Sequence, residues 1–206
     1  GLGAKAFVDY AAGPDYKIIL TYEQAIEIRE AWFTAYPEMR LYFDLIGHQV
    51  GDSGGGFQLE QHRSGRLRGN TGYTDSANGY FQGLTADGAK AACYEVVREC
   101  YTVPESGLYG SRLVMFIHDE LIIEAPESQV AIAGRRLEEV MIKEMSKMTP
   151  NIPCLAEAAA MRRWSKIAGD AVWDERGDLI PWEDTSRGKD GRPLCWRQAR
   201  PIGRPY

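Results

Sequence analysis

The sequence predicts an α+β fold in which a small antiparallel sheet, formed by a hairpin at residues 112–125, packs on long helices. Three observations predict it. Leu113 to Ile117 and Leu121 to Ile123 are apolar runs rich in β-branched and aromatic residues, too short for buried helices and suited to strands lying deep in a sheet. Between about Ser76 and Tyr101, Ala77, Phe81, Leu84, Ala89, Ala92, Cys93, Val96, Val97 and Cys100 recur at three- and four-residue intervals, the longest helical signal in the chain. After Pro126, Val130, Ala133, Leu137, Val140, Met141, Met145 and Met148 fall on one side of a helix, with Arg135, Arg136, Glu138, Glu139 and Lys143 on the other. That pattern suits an amphipathic helix covering a sheet face, its methionines serving as packing.

Taken in order, the chain opens with a Gly-rich start and a short amphipathic stretch (Ala4, Phe7, Val8) that Gly13-Pro14 breaks. Thr21 is placed as an N-cap, with Glu23 adding acid to the first turn of a helix that carries Ala25, Ile26, Arg29, Trp32, Phe33 and Tyr36. Pro37 ends or kinks it, and a second helix from Glu38 to Val50 sets Met39, Tyr42, Phe43 and Ile46 on one side, the aromatics serving as core or as a stacking surface. Gly51 to Gly56 is expected to be a flexible joint. Phe57 to Glu60 and Arg66 to Arg68 are expected as short strands around the turn Ser64-Gly65. Arg63, Arg66 and Arg68 cluster there with only Glu60 nearby, a pattern open to a solvated face or to phosphate binding. Asn70 to Asn78 is expected as polar loop.

The long helix begins oddly, because Asn78, Gly79, Gln82, Gly83 and Gly88 favour helix poorly and each glycine costs about 1 kcal/mol against alanine. Glycines there permit another backbone to come close. Asn78 and Gln82, four apart, put two amides on one face, able to bond base edges or neighbouring backbone. Pro104 to Ser111 is a loop into the hairpin, Pro150 and Pro153 stop the last helix, and Cys154 to Trp164 suits either strand or helix. From Ser165 on, glycine, proline and charge increase, and the last twenty residues are expected as an extended basic tail.

At 206 residues and 44% hydrophobic, the chain can bury a sizeable core as one large or two small domains. A formal charge of −5 does not advertise a polyanion binder, although Arg187 to Tyr206 carries six basic residues and one acid. Contact with a polyanion elsewhere must come from local basic residues or metal ions. Four cysteines (Cys93, Cys100, Cys154, Cys195) form no CxxC, and three histidines show no ligand spacing with them, which fits free thiols in a reducing intracellular setting. No run of 18 apolar residues and no signal-peptide pattern points to a membrane or to secretion. The chain starts Gly-Leu-Gly without Met and is expected to be a piece of something longer.

The chemistry concentrates in His118-Asp119-Glu120, a polar step between two apolar runs. Ionised carboxylates resist burial, so Asp119 and Glu120 belong at the exposed tip of the hairpin. Such a step suits an ordinary solvated turn, and equally a rigid pair of oxygens for a hard divalent cation such as Mg²⁺, which completes its shell with water and substrate phosphates.

The order of segments is specific: Thr21-Tyr-Glu-Gln-Ala25 and Tyr36-Pro37-Glu38, then Ser64-Gly65-Arg66, then Asn78-Gly-Tyr-Phe-Gln82-Gly-Leu-Thr-Ala-Asp87-Gly-Ala-Lys90, then Phe116-Ile-His118-Asp119-Glu120-Leu121. Over roughly residues 1–168 this resembles the C-terminal part of a family A DNA polymerase, with motifs more phage-like than bacterial. The resemblance implies the second half of the fingers at 1–56, a palm portion with the catalytic hairpin at 57–168 and a basic tail without counterpart at 169–206. It implies Asp119 as a catalytic carboxylate and ligand of two Mg²⁺ ions, Glu120 as an auxiliary acid, His118 as a contact to the primer terminus, Gln82 and Asn78 along the minor groove, and Arg66 and Arg68 on backbone phosphates. Polymerase I members of the family often carry a basic residue where this chain has Thr74. The implied partners are primer-template DNA and deoxynucleoside triphosphates, in the cytoplasm of a bacterial or phage-infected cell. One hairpin aspartate cannot hold two ions, and Asp9, Asp15 and Asp44 lack the strand context for a second. The second aspartate and the nucleotide-gripping helix are therefore expected in an N-terminal portion absent from this chain, without which these residues do not polymerise. A metal-dependent nuclease and a non-catalytic duplex-binding fragment remain the alternatives.

Overall fold

The computed structural model describes residues 3–52, 54, 56–164 and 171–182. It falls into two compact units, Gly1–Asp87 and Gly88–Tyr206, which meet within a helix.

In the first unit, α1 (Ala4–Ala11) precedes α2 (Tyr22–Ala35) and α3 (Glu38–Asp52). Thr21 caps α2 as expected: its hydroxyl accepts from the Gln24 amide and the Gln24 side chain accepts from the Thr21 amide, a reciprocal capping box. Pro37 separates α2 from α3, and α3 runs on through Gly51 and Asp52, two residues expected in a flexible joint. Only part of the apolar face expected for α2 is buried. Ala25 and Phe33 lie inside, while Ile26, Trp32 and Tyr36 stay exposed; the Phe33 ring carries the Arg29 and Arg40 guanidiniums and packs edge-on to Phe43. A cavity of about 590 Å³ among α1, α2 and α3 is lined by Phe7, Trp32, Phe33 and Phe43.

β1 (Phe57–Glu60) and β2 (Leu67–Thr71) pair antiparallel, and α4 follows at Tyr73–Thr102. The loop expected from Asn70 to Asn78 is therefore mostly strand end and helix. Its residues are too polar to show helical periodicity, yet Asp75 supplies acid to the first turn. Leu59, Ala77 and Ser76 are buried between hairpin and helix, whereas Phe81, expected inside, is 54% exposed. The Tyr42 hydroxyl donates to the Ala77 carbonyl at 2.8 Å, and burial pushes its pKa up to about 12.

In the second unit, β3 (Arg112–Ile117) and β4 (Glu120–Glu124) form the expected hairpin, followed by a 3₁₀ turn at Glu127–Gln129 and α5 (Val130–Met148). The core joins Ala92, Val96 and Cys100 of α4 to Leu108, to Leu121 of β4 and to Ala133, Leu137 and Val140 of α5. Val97, expected in this face, is exposed. The strands do not lie deep in a sheet: the hairpin has two strands, and Val114, Met115 and Phe116 are 44–46% exposed. Phe116 shares the face of Leu121 and Met115 that of Ile122, so a hairpin of two strands stays partly open on both faces.

Cys154 to Trp164 is mostly irregular, with β5 at Ala160–Met161. Beyond it, β6 (Val172–Trp173) and β7 (Leu179–Trp182) extend β5 into a three-stranded sheet, β7 pairing parallel with β5. Residues 172–182, expected in a tail, are thus folded. Asp174 makes their turn, accepting from the amides of Arg176 and Asp178, which hold its carboxyl below the usual range. Leu179 is buried against Gly134 of α5, and Arg135 bonds Gly177 and Asp178. Residues 183–206, with the basic cluster and Cys195, lie outside the described residues.

Candidate functional site

The register of the hairpin pairs Ile117 with Glu120 and Phe116 with Leu121, leaving His118 and Asp119 as a two-residue connection. His118 takes the left-handed conformation at φ 54°, uncommon for a residue other than glycine, and so sharpens the reversal. The polar step is one residue shorter than expected, because Glu120 begins β4. All three side chains are exposed. Among the described residues no lysine or arginine comes within 4.0 Å of Asp119 or Glu120, whereas half of the described carboxylates of this unit are so paired. Two unneutralised carboxylates at a tight turn are the donor set that a hard cation takes. No group of three metal-ligating side chains occurs among the described residues, so these two carboxylates would make only part of such a site.

The remaining predicted residues belong to the first unit. Asn78 and Gln82 are exposed on α4, one turn apart. Arg66 is half-buried: its Nε donates to Asp87 Oδ1 at 2.7 Å and its Nη2 to the Gly83 carbonyl at 3.2 Å. Arg68 pairs with Asp75 at 3.2 Å and is the more exposed of the two. The arginine cluster has two more acids beside it than the sequence suggested. Both come from α4, across the turn of the β1–β2 hairpin.

A model of DNA polymerase family A matches residues 15–166, about three quarters of the chain. The chain belongs to DNA polymerase family A. The DNA polymerase I of Aquifex aeolicus is 24% identical over 168 residues, covering 81% of this chain and 28% of that protein. The DNA polymerase I of Chloroflexus aurantiacus is 35% identical over 116 residues, covering 53% of this chain and 12% of that protein, and the DNA polymerase theta of Caenorhabditis elegans 24% over 181 residues, covering 81% and 10%. The chain thus spans less than a third of these polymerases' own length.

Every predicted site residue, from Arg66 to Glu120, lies inside the family A match, and the folded segment 172–182 lies beyond it. Sequence reasoning missed three buried polar residues. Gln61 donates to the Gly79 carbonyl at 2.6 Å, Asp87 receives Arg66 and Ser64, and Glu99 receives Arg136 and Ser106. The signal for Asp87 and Glu99 was a carboxylate on an otherwise apolar helix face, legible only as a demand for an unidentified partner.

Proposed function

We propose that this chain is the C-terminal portion of a DNA-directed DNA polymerase that extends a primer 3′-end with deoxynucleotides by metal-assisted phosphoryl transfer. The supporting observation is the unpaired, exposed Asp119 and Glu120 at a two-residue hairpin turn, within a chain of family A. Asp119 is the catalytic carboxylate and metal ligand, Glu120 the auxiliary acid and His118 the contact to the primer terminus. Bound Mg²⁺ ions would neutralise phosphate charge and favour the ionised 3′-hydroxyl. The hydroxyl oxygen attacks the α-phosphorus of the incoming nucleotide and pyrophosphate leaves. Asn78 and Gln82 lie along the minor groove, bonding acceptors common to correct base pairs. Arg68 meets backbone phosphate, and Arg66 does so with what Asp87 and Gly83 leave of its guanidinium.

On this reading residues 1–56 belong to the fingers and 57–168 to the palm. The second metal-binding aspartate and the helix that grips the nucleotide come from polypeptide outside these 206 residues. The exposure of Val114, Met115 and Phe116 leaves hairpin surface for such a complement. The test is primer extension by the complete polymerase with Mg²⁺. The wild type lengthens the primer, and Asp119→Ala does not while still binding duplex. Hydrolysis of DNA in the absence of nucleotides would favour a nuclease, and undiminished extension by Asp119→Ala would remove the catalytic assignment.

A further inference from the structure

The first half of α4 is seated by buried polar side chains of the β1–β2 turn and of the helix itself. Gln61, 3% exposed at the start of the β1–β2 turn, donates its Nε2–H to the Gly79 carbonyl. Its Oε1 finds no partner among the described residues, so the buried amide is held by that one bond. The helix meets it with glycine: a methyl at Gly83 would stand 2.1 Å from Gln61 Nε2, and one at Gly79 2.8 Å from Leu59 Cδ1. One turn further on, Asp87, its side chain 7% exposed, accepts from Arg66 Nε and from the Ser64 hydroxyl, while Arg66 Nη2 reaches the Gly83 carbonyl. The turn that carries these groups is itself closed by backbone bonds of 2.9 Å between Gln61 and Arg66 and between Gly65 and Gln61.

These contacts fix both depth and rotation. Glycines at 79 and 83 let the hairpin approach, at a cost to helix stability. The Asp87 clamp then prevents the helix from turning about its axis. Asn78 and Gln82 each precede one of the two glycines, so any rotation of this segment carries their amides with it. We infer that Gln61 and Asp87 are positioning residues, which set the rotation of α4 so that the Asn78 and Gln82 amides meet the minor groove of primer-template DNA and test the geometry of its terminal pairs. This rests on the polymerase reading.

The test uses the complete polymerase carrying Gln61→Leu or Asp87→Asn, with rates normalised to titrated active enzyme. The expected result is a matched-primer kcat within about threefold of wild type, a Kd for primer-template raised about fivefold or more, and a similar relative gain in extension of mismatched termini. In an Asn78→Ala/Gln82→Ala background neither substitution should change mismatch extension further, because the amides they aim are gone, and Gln61→Leu, which leaves the Arg66–Asp87 pair in place, should not change Kd further either. Should either variant fold poorly, Ser64→Ala, which removes one exposed donor to Asp87, is expected to shift both readouts in the same direction by a smaller factor. Unchanged Kd and discrimination, or losses that add in full to those of the amide variants, would overturn the inference. Failure of the wild-type enzyme to extend a primer would instead sink the polymerase reading itself.

Discussion

Asp119 sits in a two-residue connection beside a left-handed His118, with Glu120 next to it and no cation of the described chain within ion-pair distance. Glu99 is its opposite. Its side chain is 3% exposed, receives Arg136 Nε at 2.8 Å and Ser106 at 2.6 Å, and the Arg136 guanidinium holds its carboxyl below the usual range. A carboxylate whose pKa is lowered by folding stabilises the native state above its ordinary pKa, and that contribution is lost as pH falls through the lowered value. Glu99→Gln, which imitates the protonated form, is expected to cost about 1–3 kcal/mol in chemical denaturation at pH 7, with the difference from wild type shrinking below about pH 4. A difference that stays constant down to pH 3 would show that charge is not what Glu99 contributes. At this scale the sequence was legible where chemistry is local. Asp119 and Glu120 stood out against apolar neighbours and Thr21 carried its own capping signature, but Glu99–Arg136 joins residues too distant in the chain for any pattern to link.

Elements were legible in proportion to their periodicity. The hairpin and α5 follow from apolar spacing alone, and α4 does so from about Ser76. Only its first residues, 73–75, escape that spacing and read as loop, because they are polar and carry no apolar stripe, and Phe81, expected inside, faces outward. Gly88 shows what the glycines accomplish: a methyl there would lie 2.7 Å from Met145 Sδ and 3.3 Å from Met145 Cα of α5. Gly88→Ala should therefore destabilise by about 1 kcal/mol or more in denaturant unfolding, although alanine is the better helix former. A stabilised variant would mean that α4 and α5 are not in close contact at this point. The strands β6 and β7 were missed because they have two and four residues in a stretch rich in charge and glycine. Leu179 carries their attachment, and Leu179→Ala is expected to cost about 2–5 kcal/mol and to open residues 171–182 to proteolysis. Protection equal to wild type would place the attachment elsewhere.

At the scale of the molecule, the chain holds two compact units and spans 28% of the Aquifex polymerase. One turn with two carboxylates can neutralise only part of the charge that gathers on a transferring phosphoryl group. The 206 residues by themselves are accordingly expected to incorporate no nucleotide in a primer-extension assay with Mg²⁺. Extension by the isolated chain would require a further metal-binding carboxylate beside that turn among its own residues. The most direct measurement is single-turnover incorporation of one nucleotide by the complete polymerase carrying Asp119→Asn, at saturating primer-template and Mg²⁺. Loss of a metal-binding charge is expected to raise the barrier by about 4 kcal/mol, a rate roughly a thousandfold lower, with affinity for DNA within about threefold of wild type. A rate within about tenfold of wild type, a barrier change under about 1.4 kcal/mol, would contradict the assignment of Asp119.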